Sequence, residues 1–159
     1  MREIMNKKAI FSLSVLLLLL GVLLLAAGCT SQGIPRENNG SNPSTSVEKV
    51  EIYHFHATRQ CYSCVTLGAY AEETVKTSFA PEVAAGKVVF AHVNVDLPEN
   101  KALVEQYGPT GSSLWIGVYN KTGFYKEENV NVWYKIGNKD DYMTYLKGVI
   151  EKRLAGDFS

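Results

Sequence analysis

Val50-Glu51-Ile52-Tyr53-His54-Phe55-His56-Ala57-Thr58-Arg59-Gln60-Cys61-Tyr62-Ser63-Cys64 is the stretch on which the fold turns. Val50 to Phe55 is rich in β-branched and aromatic residues and predicts a strand. Ala57 to Gln60 is polar and loop-like. From about Tyr62 to Phe79 the pattern becomes helical, with Val65, Ala69 or Tyr70, Val75 and Phe79 near one face and Glu72, Glu73 and Lys76 on another. A C-x-x-C pair therefore falls where a strand hands over to a helix. Unpaired N–H groups and a partial positive charge at a helix N-terminus stabilise a thiolate. They can lower a cysteine pKa from about 8.5 to roughly 3.5–7.5. The spacing puts Cys64 one turn along on the same side, within reach of a disulfide to Cys61. With Cys61 at the tip and Cys64 deeper, Cys61 suits the attacking thiol and Cys64 the resolving one.

Outward from this stretch, Lys87 to Val95 predicts a second strand, and Pro98 to Tyr107 a short helix stopped by Gly108 and Pro109. Leu114 to Tyr119 predicts a third strand, and Asn120 to Gly123 a turn. Val130, Val132, Tyr134 and Ile136 alternate, so Asn129 to Ile136 is expected as the fourth strand. Asp140 to Leu154 reads as an amphipathic helix with Tyr142, Tyr145, Leu146, Val149 and Ile150 inward. The strand–helix–strand start implies a parallel pair with a crossover helix, and the last two strands an antiparallel hairpin. An α/β domain with a central mixed four-stranded sheet flanked by helices satisfies this order.

The C-x-x-C in this setting, the segment Ala91-His92-Val93-Asn94-Val95-Asp96 with its Asn-x-Asp ending, Tyr107-Gly108 before a strand, and the final hairpin and helix resemble the thioredoxin-like family over residues 48–154. The resemblance implies dithiol–disulfide exchange through Cys61 and Cys64. It also places His54 near the buried acid of thioredoxins, as a group for proton transfer with Cys64. Two departures stand out. The position of the family's cis-proline falls on Ser113, in Gly111-Ser112-Ser113-Leu114, and its loss favours metal binding. The Trp-containing approach to the first cysteine is replaced by His54 to Gln60, one residue longer.

Other readings of the same residues stay open. Cys61 and Cys64 can form a structural disulfide, although so small a loop adds little stability by constraining the unfolded chain. His54 and His56 alternate on a strand and share a face. With Cys61 and Cys64 they make a candidate metal set, and His92 on the second strand can face the same side. Apart from such a metal no cofactor is expected. A binding module on the same scaffold, with chemistry lost, is the third reading.

Residues 1–28 carry a positive front (Arg2, Lys7, Lys8), an apolar run from Ala9 to Ala27, and then Ala26-Ala27-Gly28-Cys29. This resembles a lipoprotein signal with Cys29 as the lipidated residue, though Ala26 stands where Leu is usual. An uncleaved membrane anchor is the alternative, since such a span needs roughly 20 residues. Simple secretion is a third. All three leave the folded part outside the cytoplasm. Residues 29–47, rich in Ser, Asn, Gly and Pro, read as a flexible tether and residues 48–156 as the folded domain. Sixteen basic residues balance sixteen acidic ones, so no charge excess points to nucleic acid. The partners expected are exported protein thiols or disulfides and a redox partner, at the outer face of the membrane.

Overall fold

The computed structural model describes residues 46–159, which fall within one compact unit, Gly40–Ser159. The stretch expected as a signal, Cys29 and most of the expected tether lie outside the described residues. Among the described residues no helix is long and apolar enough to cross a membrane.

Strand β1 (Val47–His56) leads through the cysteine loop into helix α1 (Tyr62–Ser78) and a short helix α2 (Ala80–Ala84). Strand β2 (Val88–Asn94) follows, then a single 3-10 turn and helix α3 (Lys101–Tyr107). A hairpin of β3 (Ser113–Asn120) and β4 (Gly123–Glu128) leads through a second 3-10 segment, Val130–Tyr134, to helix α4 (Lys139–Leu154). The sheet order is β2-β1-β3-β4. β1 and β2 are parallel, and β3 runs antiparallel to both β1 and β4. This is the mixed four-stranded, thioredoxin-like α/β arrangement expected from the sequence.

β1 divides its side chains between two cores because successive residues face opposite sides of a sheet. Val50 and Ile52 join Leu67, Ala71 and Val75 of α1, Leu114, Ile116 and Val118 of β3, and Tyr142, Leu146 and Ile150 of α4. Tyr53 and Phe55 point the other way, onto Val93, Tyr107 and the flank of α3. α4 is capped by Asn138, whose side chain accepts the Asp141 N–H at 3.1 Å. It is tied to α1 by the Tyr142 hydroxyl, which donates to the Leu67 carbonyl at 2.9 Å.

Two expectations need correction. The fourth strand is Gly123–Glu128, not Asn129–Ile136. Asn120 pairs with Gly123 across a two-residue loop, so β4 begins at once after the turn. The Asn120 side-chain oxygen accepts the Thr122 and Gly123 N–H groups at 2.9 and 3.0 Å, and Gly123 takes the positive φ of 147° that closes the turn. As an edge strand, β4 has little buried alternation to show in sequence. In the 130–136 segment only Val132 is buried, while Val130 and Tyr134 are 50% and 85% exposed. Three residues per turn, not two, sets that segment's facing. The second correction concerns α1. Val65 is 51% exposed, and the inward face is Leu67, Ala71, Thr74 and Val75. Two helical residues are about 200° apart, so Val65 and Leu67 cannot share a face.

Candidate functional site

Cys61 is the N-cap of α1, with extended backbone (φ −77°, ψ 164°). Its sulfur accepts the Cys64 N–H at 3.1 Å, the role a Ser or Asp oxygen usually plays. No acidic side chain occupies the first turn of α1 to oppose a negative charge there. The α carbons of Cys61 and Cys64 lie 5.1 Å apart and the two sulfurs are joined as a disulfide. Cys61 is exposed and Cys64 only partly so. In this form neither sulfur carries the thiolate that a metal site built on Cys61 and Cys64 would use.

The approach to Cys61 is held from β2. The Asp96 carboxylate accepts the Thr58 N–H at 2.8 Å, and the Asn94 side chain donates to the Thr58 hydroxyl at 3.0 Å. That backbone hydrogen bond holds the Asp96 carboxyl below the usual range. The Asn-x-Asp ending of β2 is therefore a clamp on the loop before the dithiol, a role its sequence did not disclose. Arg59 is exposed in this loop.

His54 lies under α1, 1% exposed. Its ring occupies the space a side chain on Gly68 would need, one helical turn beyond Cys64. Gly68 in mid-helix thus gives up about 1 kcal/mol of helix propensity to admit the imidazole. In the parallel ladder His54 sits beside His92 of β2, and their Nδ1 atoms are 2.9 Å apart. His54 Nε2 is 3.4 Å from the Ser112 hydroxyl, and His92 Nε2 is 3.4 Å from a Glu72 carboxylate oxygen. A chain of polar contacts therefore runs from the loop before β3, through the buried imidazole, to the surface of α1. Burial, then the neighbouring His92 and His56, push the His54 pKa down from 6.5 to about 3. At neutral pH it is an uncharged imidazole. His56, two residues on, points the same way, with its ring 5.2 Å from that of His54.

Ser113 is buried as the first residue of β3, opposite Phe55. Its hydroxyl donates to the Gly111 carbonyl and accepts the Trp115 indole N–H, both at 3.1 Å. Among the described residues no peptide bond is cis. The structure brings together His54, His56 and His92, and joins Cys61 to Cys64. The pairing of His54 with His92 was only half legible, because it requires the β1–β2 register. Ser112 and Glu72 carried no sequence signal as site residues.

No protein-family model and no curated protein matches the chain. Solved structures similar in fold include a malarial protein, at 17% identity and TM-score 0.41, covering 67% of this chain and 98% of that one. Another is a thioredoxin from Thermus thermophilus, at 17% identity and TM-score 0.44, covering 67% of this chain and 78% of that one. The fold assignment stands on the strand order and crossover described above, not on these likenesses. A thioredoxin-like sheet carrying a cysteine pair at disulfide distance on a helix N-terminus is an arrangement suited to thiol–disulfide redox chemistry.

Proposed function

We propose that the chain is a membrane-tethered thiol–disulfide oxidoreductase acting outside the cytoplasm on exported protein thiols or disulfides. The observation that carries the chemistry is the exposed N-cap sulfur of Cys61 accepting the Cys64 N–H. In the reduced state that N–H and the helix terminus favour a Cys61 thiolate. Cys61 attacks a substrate disulfide and expels one of its sulfurs as a thiolate. Cys64 then loses its proton and attacks Cys61, releasing the second substrate thiol and restoring the intramolecular disulfide. Run backwards, the same steps oxidise a substrate dithiol.

His54 is the group we assign to proton exchange with Cys64, as a positioning and relay residue. Held at a pKa of about 3, it passes a proton toward His92 and Glu72 and does not store one. The tether reading rests on the lipoprotein-like stretch ending at Cys29 and on the polar segment after it.

Redox titration of the full chain against thiol–disulfide buffers, read by alkylation and mass, tests the proposal. A reversible two-electron couple above roughly −300 mV is expected. Loss of turnover in Cys61→Ser, with a trapped mixed disulfide in Cys64→Ser, is expected alongside it. A couple far below that value, or undiminished turnover in Cys61→Ser, overturns it. For the tether, incorporation of labelled fatty acid that is lost in Cys29→Ala is the expected result. Equal labelling of that variant removes the lipid anchor.

A further inference from the structure

His54, His56 and His92 are all the histidines in the chain, and they stand in one cluster beside the cysteine helix. Two come from β1 at alternate positions and one from the neighbouring strand β2, in register with His54. Their ring centroids are 5.2, 5.2 and 6.2 Å apart. Three imidazoles on one tetrahedral zinc, with Zn–N of about 2.0–2.1 Å, have centroids about 5.1 Å apart. The cluster matches that triangle on two edges and exceeds it by about 1 Å on the third.

Each ring also has one nitrogen engaged by an oxygen, the pattern that orients a metal-bound imidazole. His56 Nδ1 lies 2.9 Å from the Ala57 carbonyl, to which it can donate, leaving Nε2 as the ligand. His92 Nε2 faces Glu72 and His54 Nε2 faces Ser112, which leaves the two Nδ1 atoms toward each other at 2.9 Å. Two ring nitrogens that close must share something positive. In the metal-free chain a proton on one Nδ1 suffices.

We infer that a divalent zinc-class cation takes the place of that proton, held by His54 Nδ1, His92 Nδ1 and His56 Nε2 in a site independent of Cys61 and Cys64. Among the described residues no group of three His, Cys, Asp or Glu side chains is already spaced for an ion, so the cluster must adjust. The two Nδ1 atoms must part by about 0.4 Å to reach the separation of two nitrogens on one zinc, and the His56 and His92 rings, 6.2 Å apart, must close by about 1 Å. His92 can supply this movement. It lies on the edge strand and its side chain is 39% exposed. Three neutral imidazoles leave the fourth position to water or substrate, the ligand count of a reactive rather than a structural zinc.

Zinc alone is the probe, titrated by equilibrium dialysis into the full chain with the cysteines oxidised. One equivalent should bind, with affinity unchanged in a Cys61→Ser, Cys64→Ser double variant. His92→Ala should weaken it on the order of a hundredfold and Glu72→Gln by about tenfold. Circular dichroism of His92→Ala should match the parent. Cobalt in place of zinc should give ligand-field bands without thiolate charge transfer. No zinc bound, equal affinity in a folded His92→Ala, or loss of binding in the double cysteine variant overturns the inference.

Discussion

The sheet buries polar side chains on both faces, and the two faces treat them differently. On the α3 face, Tyr107 is fully buried and its hydroxyl donates to Glu51 at 2.8 Å, while Lys49 pairs with the other Glu51 oxygen at 2.6 Å. Room for that hydroxyl comes from Gly117 of β3, where any side chain would overlap it. Burial and the Glu51 carboxylate together push the Tyr107 pKa far up, so the ring stays a neutral donor. On the α1 face, Gly68 makes the same kind of room for His54, but the contacts lead outward through His92 to Glu72. A closed, satisfied pair stabilises a fold. An open chain of titratable groups under the cysteine helix suits the proton or ion roles proposed above. The same device, a glycine that lets a polar ring approach backbone, thus ends in a closed pair on one face and an open chain of contacts on the other.

Gly117→Ala should give the largest break in this comparison. The new methyl meets the Tyr107 hydroxyl and ring and the Phe124 ring inside a buried strand, so the loss should be about 3 kcal/mol. Urea denaturation measures it, and an unchanged Cys61–Cys64 potential would mark the effect as purely structural. Gly68→Ala comes next. Its overlap with the His54 ring is offset by about 1 kcal/mol of helix propensity, for a net loss of about 2 kcal/mol. Here the thiol reactivity of the pair should change as well, because His54 must leave its place. If alkylation rates of reduced Gly68→Ala match the parent, His54 has no part in the chemistry.

The third effect appears only in acid and builds gradually with pH. The folded-state pKa of His54, about 3, lies below its ordinary value of 6.5. Between those values the unfolded chain binds a proton that the folded chain does not. The stability due to a neutral His54 is therefore complete above pH 6.5 and declines as pH falls toward 3, by at most about 1.4 kcal/mol per unit. Chelator-treated protein followed by urea denaturation at pH 7, 6 and 5 should show this slope, and His54→Phe should lack it. The same slope in both proteins would assign the loss to the carboxylates.

Much of this was legible along the chain. The strand before Cys61, the helix after it, the parallel crossover and the last helix follow from local pattern. So does the cysteine pair at the helix start, because capping and spacing are local. β4 was misplaced because its neighbours, not its own residues, make it a strand. Its pairing is dictated by the turn at Asn120, and its edge position removes the need for alternation. Val65 was misassigned because a helix face is defined by what it packs on, and the β3 and α4 side chains choose Leu67 and Ala71.

The order of elements, the dithiol and its place on a helix terminus are thus written locally in the chain, since those depend on residues within a turn or two of each other. What gathers under the cysteine helix depends on the tertiary structure. His54 meets His92 across 38 residues, and Ser112 across 58. Those meetings depend on the register of β1 with β2 and on the loop before β3, which long-range hydrogen bonding sets and no local pattern records.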